Sequence, residues 1–190
     1  MTKTLIFYWT AAKKFQGRAF PIALALEHFK KPYEVRPESP FPENAISFAC
    51  PVVTFESGES MSQLPAIMLR LGETTGNAGG TDAERAQVLQ ILLDWNDMFD
   101  ECGKEGKWTA ENQRKEKWFA LVEKRLTLNK FLATSEPSVA DFFAFWSCLL
   151  VTKKTGPIPS EFPKFAAWME TMRALPAAEK LLTNGVPIFP

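Results

Sequence analysis

The residue types that most often carry catalysis are scarce in this chain. It has one histidine, His28, so a Ser-His-Asp or Cys-His centre exists only if His28 is its base, and His-based metal clusters are ruled out. His28 falls within a stretch of helical spacing, Ala19 to Lys30, where a partly exposed helix residue is the plainer reading. The three cysteines, Cys50, Cys102 and Cys148, are odd in number and widely spaced, which suits reduced thiols better than a disulfide framework or a zinc site. A different chemistry is available at Gln63-Leu64-Pro65, where a helix begins: unpaired first-turn amides and the positive end of the helix dipole favour an anionic group.

The bulk composition narrows the partners. Lys+Arg and Asp+Glu both number 22, with no long block of one sign, so nothing in the charge favours a polyanion such as nucleic acid. Hydrophobic residues make up 46% of the 190 residues, including 16 Phe and 6 Trp, enough to build a packed core and too many for a disordered chain. The apolar run Leu5 to Trp9 is too short for a signal segment and Phe142 to Val151 too short for a membrane span, which leads us to expect a soluble, cytoplasmic protein with no membrane partner.

The elements that must position any site follow from periodicity. Apart from Leu5, Thr4 to Trp9 is a run of β-branched and aromatic residues that predicts a buried strand. Ile22, Ala25, Leu26 and Phe29 then mark one face of a helix that Lys31-Pro32 stops, and Tyr33 to Arg36 predicts a second strand, completing a βαβ unit. Pro37 to Pro42 reads as a loop, Val52 to Phe55 as a third strand, and the turn Glu56 to Glu59 as the lead into a short fourth. A helix beginning near Gln63 to Pro65 is expected to end before Gly72, with Glu73 to Thr81 as a linker. Beyond it the pattern is helical throughout. Val88, Ile91, Leu92, Trp95, Phe99 and Cys102 trace one stripe, and Trp118, Leu121, Val122 and Leu126 a second. Ser138-Val139-Ala140-Asp141 is a capping box with Asp in place of Glu, opening a helix to Val151 that is apolar on all sides and therefore central. Two more helices follow, around Phe165 to Met172 and from Pro176. The expected division is a thioredoxin-like unit over 1–76 and an all-helical unit over 82–190.

This order of elements resembles the cytosolic glutathione transferases along the whole chain. Pro137 to Phe142 is similar to that family's capping box, and Phe162-Pro163-Lys164-Phe165 through Ala174-Leu175-Pro176-Ala177 to its last helices. Phe7-Tyr8-Trp9 followed by Gly17-Arg18-Ala19 looks like the first strand-to-helix passage of the tyrosine-type classes, mu and sigma especially. The resemblance implies an α/β thioredoxin-like domain plus an all-α domain, a homodimer, no resident cofactor or metal, and glutathione as co-substrate for attack on a small hydrophobic electrophile. It implies Tyr8 as the catalytic residue, because a phenol donating to the glutathione sulfur favours the thiolate. Thr10 is the alternative hydroxyl. Cys50, Pro51, Gln63 and Leu64 would seat the tripeptide, with the Cys50-Pro51 bond cis. Lys14 would lie near the glycine carboxylate, and Asp97 would reach the glutathione amino group of the neighbouring subunit.

Each of these residues also has a plainer reading: Tyr8 as a strand aromatic, Cys50 as an inert thiol, Lys13 and Lys14 as solvated loop lysines, and Asp94, Asp97 and Asp100 as a solvated acidic face. Trp95, Met98 and Phe99 read as core, or as the wall of an electrophile pocket. The sequence departs from the family in three places. Leu64 stands where the family has a helix-capping serine, leaving Ser62 as a displaced hydroxyl. The loop from Trp9 to Gln16 is longer. The segment from Tyr33 to Pro51 is shorter and lacks the family's tryptophan and lysine clasp, so its helix is expected to be reduced to a loop. The competing class is a non-catalytic structural or protein-interaction module on the same scaffold.

Overall fold

The computed structural model describes residues 3–9, 17–104, 106–108 and 113–185. It opens with β1 (Thr4–Phe7), α1 (Ala19–His28), β2 (Tyr33–Arg36), β3 (Val52–Thr54), β4 (Ser60–Ser62) and α2 (Leu64–Thr75). The strands form one sheet in the order β2-β1-β3-β4, with β1 parallel to β2 and antiparallel to β3, and β4 antiparallel to β3. Ile6 lies opposite both Val35 and Val53, and all three are buried, so one face of the sheet is dry across three strands. Every residue of α1 from Ala19 to Leu26 is buried, which requires neighbours on more than one side.

The rest is helical: α3 (Asp82–Gly103), α4 (Arg114–Leu128), α5 (Val139–Thr155), α6 (Pro163–Arg173) and α7 (Pro176–Asn184). The whole arrangement is the thioredoxin-like plus helical fold expected from the sequence. Between β2 and β3 there is no helix, as the short segment there led us to expect. Among the described residues no helix is long and apolar enough to cross a membrane.

Helix α5 is the centre of the helical layer, with eleven of its residues buried. Its start is secured by Asp141, a wholly buried carboxylate that accepts from Ser138 N at 2.9 Å, Ser138 Oγ at 2.8 Å, Leu132 N at 3.0 Å and Trp168 Nε1 at 3.1 Å. Burial pushes this carboxyl's pKa up, and the bonds from Leu132, Ser138 and Trp168 oppose that shift. The sheet half meets α5 through α1, where the rings of His28 and Phe29 lie 5.0 and 5.6 Å from Phe142. Glu123 of α4 starts α6 in a similar way, accepting from Lys164 N at 3.1 Å and Phe165 N at 2.8 Å.

Three boundaries differ from expectation. The β1 ladder stops at Phe7, although Tyr8 N still donates to Arg36 O at 3.0 Å, so the chain leaves the sheet only after Tyr8. Helix α2 runs past Gly72 to Thr75 and ends at Gly76, where φ is 76°. Gly72 is not a terminator but a crossing point: a Cβ there would meet Val139 Cγ2 at 2.8 Å and Ala78 Cβ at 3.0 Å. Helix α5 continues four residues beyond Val151 to Thr155. One start signal in the sequence went unused: Thr81 and Glu84 form a reciprocal capping box that begins α3.

Two stability predictions follow from these contacts. Asp141→Ala strands several buried donors, so the free energy of urea unfolding should drop by roughly 3 kcal/mol or more; an unchanged midpoint would remove Asp141 from its central role. Glu101, at the end of α3, is held by the Arg114 guanidinium and by Trp118 Nε1 at 3.0 Å, and its carboxyl is pushed down to about 2. A depressed carboxylate contributes stability above its unfolded value, and that contribution is lost as pH falls through the folded one. Stability should therefore decline from about pH 4.5 towards pH 2, and Glu101→Gln should decline less steeply over that window in urea titrations.

Candidate functional site

The strand register gathers the sequence-predicted residues at one end of the sheet. Phe7 pairs with Val52 and Val52 with Ser62. One step beyond those pairs stand Tyr8 at the end of β1, Pro51 at the start of β3 and Gln63 at the end of β4. The first turns of α1 and α2 open at the same end, so two helix N-termini face the site.

Tyr8 is 8% exposed, and its phenol oxygen accepts from Arg18 N at 3.2 Å. Arg18 is the residue that precedes α1, so this amide is one of those a helix start leaves without an intrahelical partner. Burial pushes the Tyr8 pKa up and the neighbouring Cys50 thiol adds to this, while the Arg18 amide and guanidinium act in the opposite direction. In its bond with Arg18 the oxygen accepts; donating to a thiolate would use the hydroxyl's other function.

Cys50 is half-buried, next to a cis bond to Pro51. Burial pushes its thiol pKa up, its own backbone amide and that of Trp9 pull it down, and Glu38 raises it. This environment suits an inert thiol better than a reactive one. Gln63 is exposed and has φ 69°, a conformation that non-glycine residues seldom adopt, at the residue preceding α2. The first intrahelical bond there is from Ile67 N to Gln63 O at 3.0 Å, so the amides of Leu64 and Ala66 are not used by the helix, and Pro65 has none. The Leu64 side chain is 1% exposed and belongs to the apolar core, so it points inward instead of standing across the cleft. Ser62 is half-buried on β4.

Lys14, with Thr10 and Lys13, lies outside the described residues. Asp97 faces solvent on α3; the acidic residue of this helix that meets the start of α1 is Asp100, 3.5 Å from Arg18 Nη2. Asp94 pairs with Arg125 at 3.3 Å. Trp95 and Met98 are buried core, while Phe99 is partly buried, with its ring 4.9 Å from Trp146 and 5.3 Å beneath the Arg18 guanidinium. Arg18 is thus the residue that sequence reasoning passed over: its amide holds the phenol, and its side chain ties the start of α1 to α3. Its only sequence signal is its place in Gly17-Arg18-Ala19. A separate cavity of 130 Å³, lined by Thr4, Lys31, Phe55 and Thr75 among others, sits at the opposite end of the sheet and shares no residue with this cluster.

Comparison with known proteins agrees with this architecture. Residues 89–176 match the family described as glutathione S-transferase, C-terminal domain. A glutathione S-transferase of Caenorhabditis elegans superposes with a TM-score of 0.76 at 24% identity, covering 99% of this chain and 100% of that one. Prostaglandin synthase D of Nilaparvata lugens gives 0.75 at 19% identity over 98% and 100% of the two chains. A glutathione transferase from Methylococcus capsulatus gives 0.72 at 16% identity over 95% and 97%. Among curated proteins, none matches this sequence. The chain therefore carries the glutathione transferase fold, and its helical half matches that family.

Because Leu64 is core and not cleft, Leu64→Ala should cost about 2–4 kcal/mol in urea unfolding. A loss below about 1 kcal/mol would mean that the side chain is free to turn out into the site.

Proposed function

We propose that this chain, built on the glutathione transferase fold, conjugates the glutathione thiolate to small hydrophobic electrophiles, with Tyr8 as the catalytic residue. The observation that carries the reading is the Tyr8 oxygen, fixed by Arg18 N at 3.2 Å beside the Cys50-Pro51 bond and at the same sheet end as the start of α2. A sulfur brought to that point would meet a phenol able to donate to it. The thiolate would be favoured and its pKa lowered. The sulfur belongs to the substrate, so the protein has only to stabilise and aim it, and the reaction needs neither a metal nor a resident cofactor.

In this reading the tripeptide lies across the strand ends. The amides of Leu64 and Ala66 receive its γ-glutamyl carboxylate, a role that needs no side-chain hydroxyl and so survives the absence of serine. The backbone around Cys50 and Pro51 faces its cysteinyl unit, Gln63 supplies a polar edge, and Lys14, which is outside the described residues, is assigned to its glycine carboxylate. Residues around Phe99 and Trp9 offer apolar surface for the electrophile; Trp9 is largely exposed. Unpaired cysteines fit a cytoplasmic protein, since Cys50, Cys102 and Cys148 are all free. The fully exposed Ile46 and Phe48 fit a homodimer, because a monomer seldom leaves two large apolar side chains this close in sequence wholly in water.

A second reading, the non-catalytic scaffold, is favoured by one feature: the loop between β2 and β3 has no helix and no tryptophan or lysine to close over a bound tripeptide. Binding separates the two. The enzyme should be retained on immobilised glutathione and should accelerate conjugation to 1-chloro-2,4-dinitrobenzene, whereas the scaffold should flow through and give no rate above buffer. Tyr8→Phe should lower kcat/KM roughly 10²-fold and move the pH–rate midpoint up towards the free thiol range of about 8.5. Its melting temperature should change by only a few degrees, consistent with one lost hydrogen bond of about 1 kcal/mol. A rate and pH profile equal to wild type would rule Tyr8 out and point to Thr10.

A further inference from the structure

The cavity of 130 Å³ lies at the end of the sheet away from Tyr8, where β1 begins, β3 runs out and helices α1 and α2 both finish. Its apolar wall is made by Leu26, Phe55 and Leu71, all of them buried. A void of about 150 Å³ lined by such side chains admits benzene, so this one is of single-ring size.

Two polar groups on its border have nothing to bond. Thr4 is 3% exposed, yet among the described residues its hydroxyl has no hydrogen-bond partner. A buried hydroxyl in that state is costly and calls for an acceptor or donor from outside the chain. Thr4 N donates to Pro32 O at 3.1 Å, which brings the adjacent Lys31 to the same edge of the cavity. Among the described residues the Lys31 ammonium has no carboxylate partner. Other polar groups of the lining are committed or face water. The hydroxyls of Thr75 and Thr74 donate to Leu71 O at 2.7 and 3.0 Å, and Arg70 is held by Glu59 at 3.0 Å and Glu73 at 3.2 Å. Glu56 and Ser57 are exposed.

We propose that this cavity binds a small neutral phenol, its ring against Leu26, Phe55 and Leu71 and its hydroxyl at the edge shared by Thr4 and Lys31. A phenol hydroxyl both donates and accepts, so it can donate to Thr4 Oγ1 while accepting from Lys31 Nζ. Charge selects this class over an anion. The negative ends of the α1 and α2 dipoles lie here, and Glu56 borders the same space. One ammonium does not outweigh them, which disfavours an aromatic carboxylate. A plain hydrocarbon ring would fill the space but leave Thr4 unbonded. A phenol ionises only near pH ~10 and stays neutral well below it. The cavity shares no residue with the candidate functional site, so binding here is independent of the conjugation reading.

Titration of the full chain with phenol, followed in two-dimensional amide NMR spectra, tests the site. Phenol should saturate one site per chain, with shifts concentrated at Thr4, Phe55 and Thr75. Toluene should bind about fivefold more weakly for want of the hydroxyl, and benzoate about tenfold more weakly because of its charge. Thr4→Val keeps the side chain's shape in a strand and removes its hydroxyl, so the phenol Kd should rise about fivefold. Lys31→Met removes the ammonium and should raise it about threefold. Urea midpoints check that both variants are folded, and the exposed Lys31 tests the site even where Thr4→Val does not fold. Shifts gathered at Tyr8, Arg18 and Leu64, toluene or benzoate binding as tightly as phenol, an unchanged Kd in either folded variant, or no saturation at all would each overturn the site. Each of these results leaves the conjugation reading intact.

Discussion

One carboxylate without access to water organises the helical half of this protein. Asp141 is held by two backbone amides, a hydroxyl and an indole, drawn from the loop before α5, from its own helix start and from α6. A buried charge is tolerable only when so surrounded, and the same requirement fixes where those three pieces of chain must be. The α5 helix that begins there is buried on all sides from Val139 to Cys148, so once its start is placed its flanks become the seats of its neighbours.

Two of those seats reach the sheet. Val139 at the head of α5 receives α2 at Gly72, the one position of that helix where a side chain would collide. Phe142, one turn on, receives His28 and Phe29 at the end of α1. The far end of α1 carries the Arg18 amide that meets the Tyr8 oxygen. The phenol is therefore linked to the buried carboxylate by a chain of contacts running through α5 and α1. At the last turns of the path, Lys180 of α7 binds Glu27 of α1 at 2.8 Å, and the same carboxylate accepts from the Tyr33 hydroxyl at 3.1 Å. These bonds tie the C-terminal helix, α1 and β2 into one block.

The candidate site shows how such a scaffold can lose one familiar group and keep the geometry for its chemistry. Leu64 occupies a helix start where a hydroxyl is common, yet its side chain turns into the core and leaves the first-turn amides in place. Anion recognition by a helix start depends mainly on backbone groups and the dipole, which a change of side chain does not remove. The strained Gln63 backbone just before that helix is the local cost of turning the chain from β4 directly into α2. Arg18 shows the reverse case, a side chain of no evident local role that the fold places over Phe99 and near Asp100.

Periodicity and capping chemistry are local properties of a chain, and whatever depended on them was legible in the sequence: the βαβ opening, the third strand at Pro51, the capped apolar helix at Ser138 and the run of amphipathic helices. The loop in place of a helix between β2 and β3 was legible too, because Pro37, Pro40 and Pro42 interrupt the segment. Other features were decided only by distant parts of the chain meeting. Gly72 reads as a helix stop until Val139 is found against it. Leu64 reads as an obstruction until its side chain is seen to have a core to enter. Arg18, Asp94 and Asp100 are indistinguishable surface charges until the packing of α1, α3 and α4 assigns their partners. Hydrophobic spacing tells which way a residue faces on its own element; it carries no information about what another element brings to that face, and that is what the tertiary structure decided.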